Sequence, residues 1–167
     1  GTWMYTGTGH VLWNGTTGND KILSDRGDDS IYGDAGNDWL RGGDGNDFIQ
    51  GGEGRDVIED SAGLNILIGG NGNDYISGSG TDAYNGNGGD DFISGGTFPV
   101  VGLAGIGSDW ILGGSDNDVL SGDEGNDWIE GGQGGDGISG DVVGAAGVGH
   151  QQRCGYTRQW IHGQGRS

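Results

Sequence analysis

The sequence predicts an all-β fold, a right-handed parallel β-roll (a β-helix, or solenoid) of about seven 18-residue coils. Three observations point there. Glycine supplies 44 of the 167 residues while hydrophobic residues make up only 31%, too little large apolar side chain for an ordinary globular core. The charge is segregated: residues 1–141 hold all 25 acidic side chains and four of the seven basic ones, a net −21, whereas residues 142–167 carry +3. The acidic stretch also repeats with a period of nine, the mark of a stacked array.

The repeat is read from three columns in phase. Key positions fall at Asp20, Asp29, Asp38, Asp47, Asp56, Asn65 and Asp74, slip by one residue to Asp82, and resume at Asp91, Val100, Asp109, Asp118, Asp127 and Asp136. Two residues earlier stands glycine at Gly18, Gly27, Gly36, Gly45, Gly54, Gly63, Gly72, Gly80, Gly89, Gly107, Gly125 and Gly134. Two residues later stands an apolar side chain, from Ile22, Ile31 and Leu40 through to Ile138, interrupted only by Gly102. The last three positions of each unit suit a short strand with that apolar residue turned inward. The first six turn the chain, glycine allowing positive φ and close backbone approach.

Two nine-residue units close one coil, so residues 18 apart stack about 4.8 Å from one another. Asp20, Asp38, Asp56, Asp74, Asp91, Asp109 and Asp127 then line one edge. Asp29, Asp47, Asn65, Asp82, Val100, Asp118 and Asp136 line the other. Carboxylates so stacked repel unless a cation lies between them. Ca²⁺ answers that need, taking six to eight oxygens from carboxylates and loop carbonyls. One inward apolar residue per unit is little burial against the entropy of ordering glycine-rich chain, so folding and metal binding are expected to be a single event.

Units such as GGDGNDFIQ (42–50), GGEGRDVIE (51–59), GGNGNDYIS (69–77) and GDEGNDWIE (122–130) resemble the nonapeptide of the RTX, or haemolysin-type, calcium-binding proteins. The resemblance spans about residues 15–141. It implies one ion between like turns of adjacent coils, held by the key side chains at 20, 29, 38, 47, 56, 65, 74, 82, 91, 109, 118, 127 and 136. Loop carbonyls near Gly18, Gly27, Gly36, Gly45, Gly54, Gly72, Gly89, Gly107, Gly125 and Gly134 complete the sites. With the sites at Asn65 and Val100 weakened, roughly eight to ten ions are expected. The resemblance further implies a secreted or cell-surface protein, folding where calcium is millimolar and aiding the export and stability of what it is joined to.

Other classes are disfavoured. The single proline and the absence of a three-residue period exclude collagen, no apolar run is long enough for a membrane helix, and so acidic a surface does not suit nucleic acid. Every Asp at a key position belongs to a repeated set, none is singled out as acid, base or nucleophile, and no enzyme activity is expected. The residue after each key position should face outward, giving one sheet a stripe of Trp39, Tyr75, Phe92, Trp110 and Trp128. That stripe is either a stiffening cross-strand ladder or a surface for a neighbouring domain, a glycan or another copy. Rival functions are therefore a self-associating filament, S-layer or adhesin protein, and an accessory module of a secreted enzyme.

The expected organisation is an N-terminal cap over residues 1–14, the calcium-binding roll over 15–141, and a basic tail over 142–167 that is flexible or docks to a neighbour. Unit GGTFPVVGL (95–103), lacking both Asp and inward residue, is expected to bulge or loop out at Pro99. The slip at Gly80–Asp82 is expected to make a local kink. The tail's His150, Cys154 and His162 match no usual metal spacing, one cysteine allows no intrachain disulfide, and the tail does not resemble a C-terminal secretion signal. No charged-then-apolar leader follows Gly1, so no N-terminal signal peptide is expected, and a start without Met reads as a fragment or a processed product.

Overall fold

The computed structural model describes residues 1, 3–5, 8–140 and 151–152. Among them there is no helix, and seventeen strands, numbered along the chain, form two parallel sheets. The nine-stranded sheet holds β1 (Trp3–Tyr5), β3 (Lys21–Leu23), β5 (Trp39–Arg41), β7 (Val57–Glu59), β9 (Tyr75–Ser77), β11 (Phe92–Ser94), β13 (Trp110–Ser115), β15 (Trp128–Gln133) and β17 (Gln151–Gln152). The eight-stranded sheet holds β2 (Leu12–Thr16), β4 (Ser30–Ala35), β6 (Phe48–Glu53), β8 (Ile66–Asn71), β10 (Ala83–Gly88), β12 (Val101–Gly107), β14 (Val119–Gly125) and β16 (Gly137–Ser139). Consecutive strands alternate between sheets, and each pairs with the strand one coil away: Ile49 lies beside Ile31 and Leu67, and Trp39 beside Lys21 and Val57. This is the expected β-solenoid with its 18-residue repeat.

The core is one apolar side chain deep per strand. Ile22, Leu40, Ile58, Ile76, Ile93, Ile111 and Ile129 from one sheet pack with Ile31, Ile49, Leu67, Tyr84 and Leu120 from the other, all fully buried. Each contributes about 1.5–3 kcal/mol by leaving water. The segment assigned to the cap supplies the outermost strands at that end, and its Met4 and Trp13 pack against the core. Most of the tail, with His150, Cys154 and His162, lies outside the described residues; Gln151–Gln152 pairs with β15.

Strand lengths depart from the expected three residues. In the eight-stranded sheet, β4, β6, β8 and β10 run for six, continuing into the opening positions of the next unit, so that Gly52 pairs with Asp34 and Gly70. In the other sheet β3 to β11 keep three residues, whereas β13 and β15 have six. Asp60 marks one cause: its Oδ1 accepts the N–H of Gly43 at 2.9 Å, and a side chain thereby takes the place of a ladder bond. Pairing resumes one residue later at the isolated bridges of Asp44 with Arg26 and Ala62.

Two expectations about irregular units are corrected. Unit 95–103 does not loop out of the sheet: Val101 pairs with Ala83 and Val119, and Gly102 with Tyr84 and Leu120. Val100 is buried in the Asp place, and its N–H still donates to Asp118 Oδ1 at 3.0 Å. A β-carbon on Gly102 would meet Leu120 Cδ2 at 3.2 Å, and buried Val100 and Ala104 flank the missing side chain. Backbone bonding holds the register, and Pro99 precedes the strand, where its missing N–H removes no ladder bond. The slip is likewise confined to a turn. Ser79 bonds the carbonyl of Ser61, 18 residues back, while Thr81 N–H bonds that of Gly63, and the strands beyond pair regularly, Tyr84 with Leu67 and Phe92 with Tyr75.

Candidate metal centre

The key side chains do not stand free at the turns. Asp20, Asp29, Asp38, Asp47, Asp56, Asn65, Asp74, Asp82, Asp91, Asp109 and Asp118 are buried, while Asp127 and Asp136 near the last coil are partly exposed. Each column is a hydrogen-bonded ladder. The N–H of Asp20 donates to Asp38 Oδ1 (2.7 Å), Asp38 to Asp56 (2.8 Å), Asp56 to Asp74 (2.8 Å), Asp74 to Asp91 (2.8 Å), Asp91 to Asp109 (2.7 Å) and Asp109 to Asp127 (3.1 Å). On the other edge Asp29 donates to Asp47, Asp47 to Asn65, Asn65 to Asp82, and Asp118 to Asp136. The columns inferred from the spacing are thus real, and backbone amides relieve part of the repulsion expected there.

The second oxygen divides the set. Thr16 donates its N–H (2.6 Å) and hydroxyl (2.9 Å) to Asp20 Oδ2, Ser24 donates its hydroxyl to Asp29 Oδ2, and Tyr84 donates its hydroxyl to Asp82 Oδ2 (3.0 Å). The Oδ2 atoms of Asp38, Asp47, Asp56, Asp74, Asp91, Asp109 and Asp118 are buried and find no donor. Such atoms carry a desolvation cost that a proton or a cation must offset. Burial accordingly pushes the carboxyls of Asp38, Asp56, Asp74 and Asp109 up to about 6, against the lowering effect of the amide bond, and that of Asp91 up to about 7. Asp47 and Asp118 are raised for the same reason.

Glycine shapes the niche around both oxygens. A β-carbon on Gly33 would stand 2.5 Å from both Asp38 Oδ2 and the Gly51 carbonyl, so only a residue without one lets the carboxylate fold inward. At the turn, Gly54 has φ +120°, and a β-carbon there would strike the Gly36 carbonyl one coil back. The carbonyls expected to serve as ligands therefore point along the roll axis from glycine to glycine. Asp109 Oδ1 and the Gly89 carbonyl both crowd Gly107, bringing a carboxylate and a loop carbonyl of adjacent coils together.

Two features were not anticipated. In several units the residue before the key position forms a second ladder of opposite sense, Asn37 N–H donating to Asn19 Oδ1 (2.9 Å), Arg55 to Asn37 (2.8 Å), Asn46 to Asp28 (2.8 Å) and Ser108 to Asp90 (2.8 Å). The recurrent Asn before the key Asp was its signal. The other is Asp60, 9% exposed, its carboxyl pushed up to about 8 by burial and by the nearby Asp47 and Asp82. Its signal was an acid at the opening glycine position of the one unit whose key residue is Asn.

Among the described residues no three His, Cys, Asp or Glu side chains converge on one point, so a metal held here draws on backbone carbonyls as well. The available donors are all oxygens, which suits a hard cation such as Ca²⁺ over a soft one. The orphaned Oδ2 atoms and glycine-lined niches fit such an ion. Among the described residues no helix is long and apolar enough to cross a membrane.

A family model described as the RTX calcium-binding nonapeptide repeat matches in four copies, at residues 14–49, 50–82, 76–97 and 103–138. No curated protein and no solved structure matches the chain. The matched segments cover most of the sequence and coincide with the coils whose carboxylates stack, so this chain belongs to the RTX calcium-binding nonapeptide repeat family.

Proposed function

We propose that the chain is a calcium-responsive module that folds on binding Ca²⁺ outside the cell and thereby supports the secretion, folding and stability of an extracellular protein. The observation carrying this reading is the run of seven buried Asp Oδ2 atoms with no donor. The key side chains are the carboxylate ligands, with glycine carbonyls of neighbouring turns, for roughly eight to ten ions. Residues 1–14 close one end of the roll, and residues 142–167 serve to dock a neighbour. Extracellular calcium modules typically bind with dissociation constants near 10⁻⁴–10⁻³ M, so the chain stays unfolded at the lower calcium of a cytosol and condenses on export. Circular dichroism during a Ca²⁺ titration after chelation tests this. A cooperative gain of strand signal is expected, and equal order in excess EDTA overturns the reading.

A second reading has its own observation. Tyr75 and Phe92 stack at 5.3 Å between ring centroids, Phe92 meets Trp110 at 6.1 Å, Trp110 meets Trp128 at 6.0 Å, and Lys21 lies 3.3 Å over the Trp39 ring. This ladder stiffens its sheet, yet Trp110 remains 49% exposed and Trp39 41%. A half-exposed aromatic ladder suits contact between copies in a filament or surface layer. Sedimentation in Ca²⁺ should show association that the combined change of Trp39, Trp110 and Trp128 to Ser abolishes while the fold persists. A strictly monomeric wild type excludes it.

A further inference from the structure

Unit 60–68 departs from the others at two positions: Asp60 stands where most units open with glycine, and Asn65 replaces the key Asp. The two changes together keep the unit's charge and alter its geometry. Every polar group of the Asn65 amide is used. Its Oδ1 accepts the N–H of Asp47 at 2.8 Å, and its Nδ2 donates both to Asp60 Oδ2 and to Asp82 Oδ1, the latter at 2.9 Å. An aspartate at position 65 would place a third carboxylate between those two with no proton to share; the amide supplies two.

With Oδ2 held in this way, Asp60 turns Oδ1 to the opposite side, over Gly42. There it accepts the Gly43 N–H and stands 2.5 Å from the place a β-carbon on Gly42 would occupy. Asp47 Oδ2, buried and without a donor, crowds the same place. Asp47 itself is 2% exposed. Elsewhere, as at Gly33, that niche receives one carboxylate oxygen and one backbone carbonyl. Here it receives oxygens from two carboxylates of successive coils, and neither has an ion-pair partner among the described residues.

We infer that Asp47 Oδ2 and Asp60 Oδ1 form a divalent-cation site bridging two coils, in which Asp60 supplies the carboxylate that Asn65 lacks. A doubly charged ion with oxygen preference matches two buried carboxylates whose oxygens both close on Gly42. The site is not weakened by Asn65; its charge has moved five residues along the chain. The inference rests on the calcium-binding reading above.

The test counts calcium by equilibrium dialysis at pH 7.5 for the wild type, for Asp60→Asn, and for the double variant Asp60→Gly with Asn65→Asp, which restores an ordinary unit. Circular dichroism in saturating Ca²⁺ verifies folding of each. Asp60→Asn should bind one ion fewer, or bind that ion at least tenfold more weakly, while the double variant matches the wild-type count. A count and midpoint for Asp60→Asn equal to wild type overturns the inference, because the two carboxyls then merely share a proton. A double variant binding one ion more than wild type also overturns it. Where Asp60→Asn does not fold, the double variant decides alone by those counts. A wild type that binds no calcium defeats the calcium-binding reading itself, a separate result.

Discussion

Acid should order this protein when calcium is withheld, the reverse of ordinary acid denaturation. In the folded, metal-free coil the carboxyls of Asp38, Asp56, Asp74 and Asp109 are raised from 3.8 to about 6 and that of Asp91 to about 7, burial being the main cause. A carboxyl whose folded value lies above its unfolded one contributes stability that is fully present below the unfolded value and lost as pH rises through the folded one. One unit corresponds to about 1.4 kcal/mol, so each of the first four groups penalises the metal-free fold by about 3 kcal/mol at pH 7.5, and Asp91 by about 4 kcal/mol. Several such groups in one roll rival the net stability of a whole domain. The assay is far-UV circular dichroism in EDTA between pH 8 and pH 5. Strand signal should rise as pH falls through about 7 to 6, and Asp56→Asn, which removes one buried charge and keeps the Oδ1 acceptor for Asp38, should move that rise to higher pH. A signal that is flat or falls with acid would refute the claim that uncompensated Oδ2 atoms hold the metal-free coil open.

Two further perturbations probe the turn and the ladder. Gly54→Ala, at φ +120° and against the Gly36 carbonyl, should cost at least ~1–3 kcal/mol, read as a higher calcium midpoint for folding; an unchanged midpoint would mean the turn relaxes freely. Asp118→Ala strips the Val100 N–H of its acceptor and removes one orphaned oxygen, so calcium titration should lose cooperativity and, in saturating Ca²⁺, the coil around β12 and β14 should lose about 1–3 kcal/mol of stability, seen as faster amide exchange there.

Much of the architecture was written in short-range pattern. The period of nine with an apolar residue two places after each Asp needs only strand alternation and stacking to yield two parallel sheets over one column of Ile and Leu, and the columns of Asp follow from the same count. Irregular units were harder to read. Val100, Pro99 and Gly102 look locally like a broken repeat, yet β10 and β14 on either side offer a full set of backbone partners, and Val100 and Ala104 fill the gap from neighbouring positions. Residue identity signals local preference; a ladder of amides is indifferent to it.

The site divides along the same line. That carboxylates recur every 18 residues follows from the chain alone, because a strict period leaves no other way to stack them, and so do the glycines that must accompany them. Which oxygen each carboxylate leaves unsatisfied does not follow. Asp20, Asp29 and Asp82 find hydroxyls of Thr16, Ser24 and Tyr84, while Asp38 to Asp118 include seven that find none. The meeting of Asp60 with Asp47 depends on an amide at Asn65 turning one side chain across a coil boundary. Hydroxyls two to five residues away decide the first outcome, and the bonds of Asp60 to Gly43 and of Asn65 to Asp82 across a coil boundary decide the second; a period records the distance along the chain without recording which way a carboxylate turns.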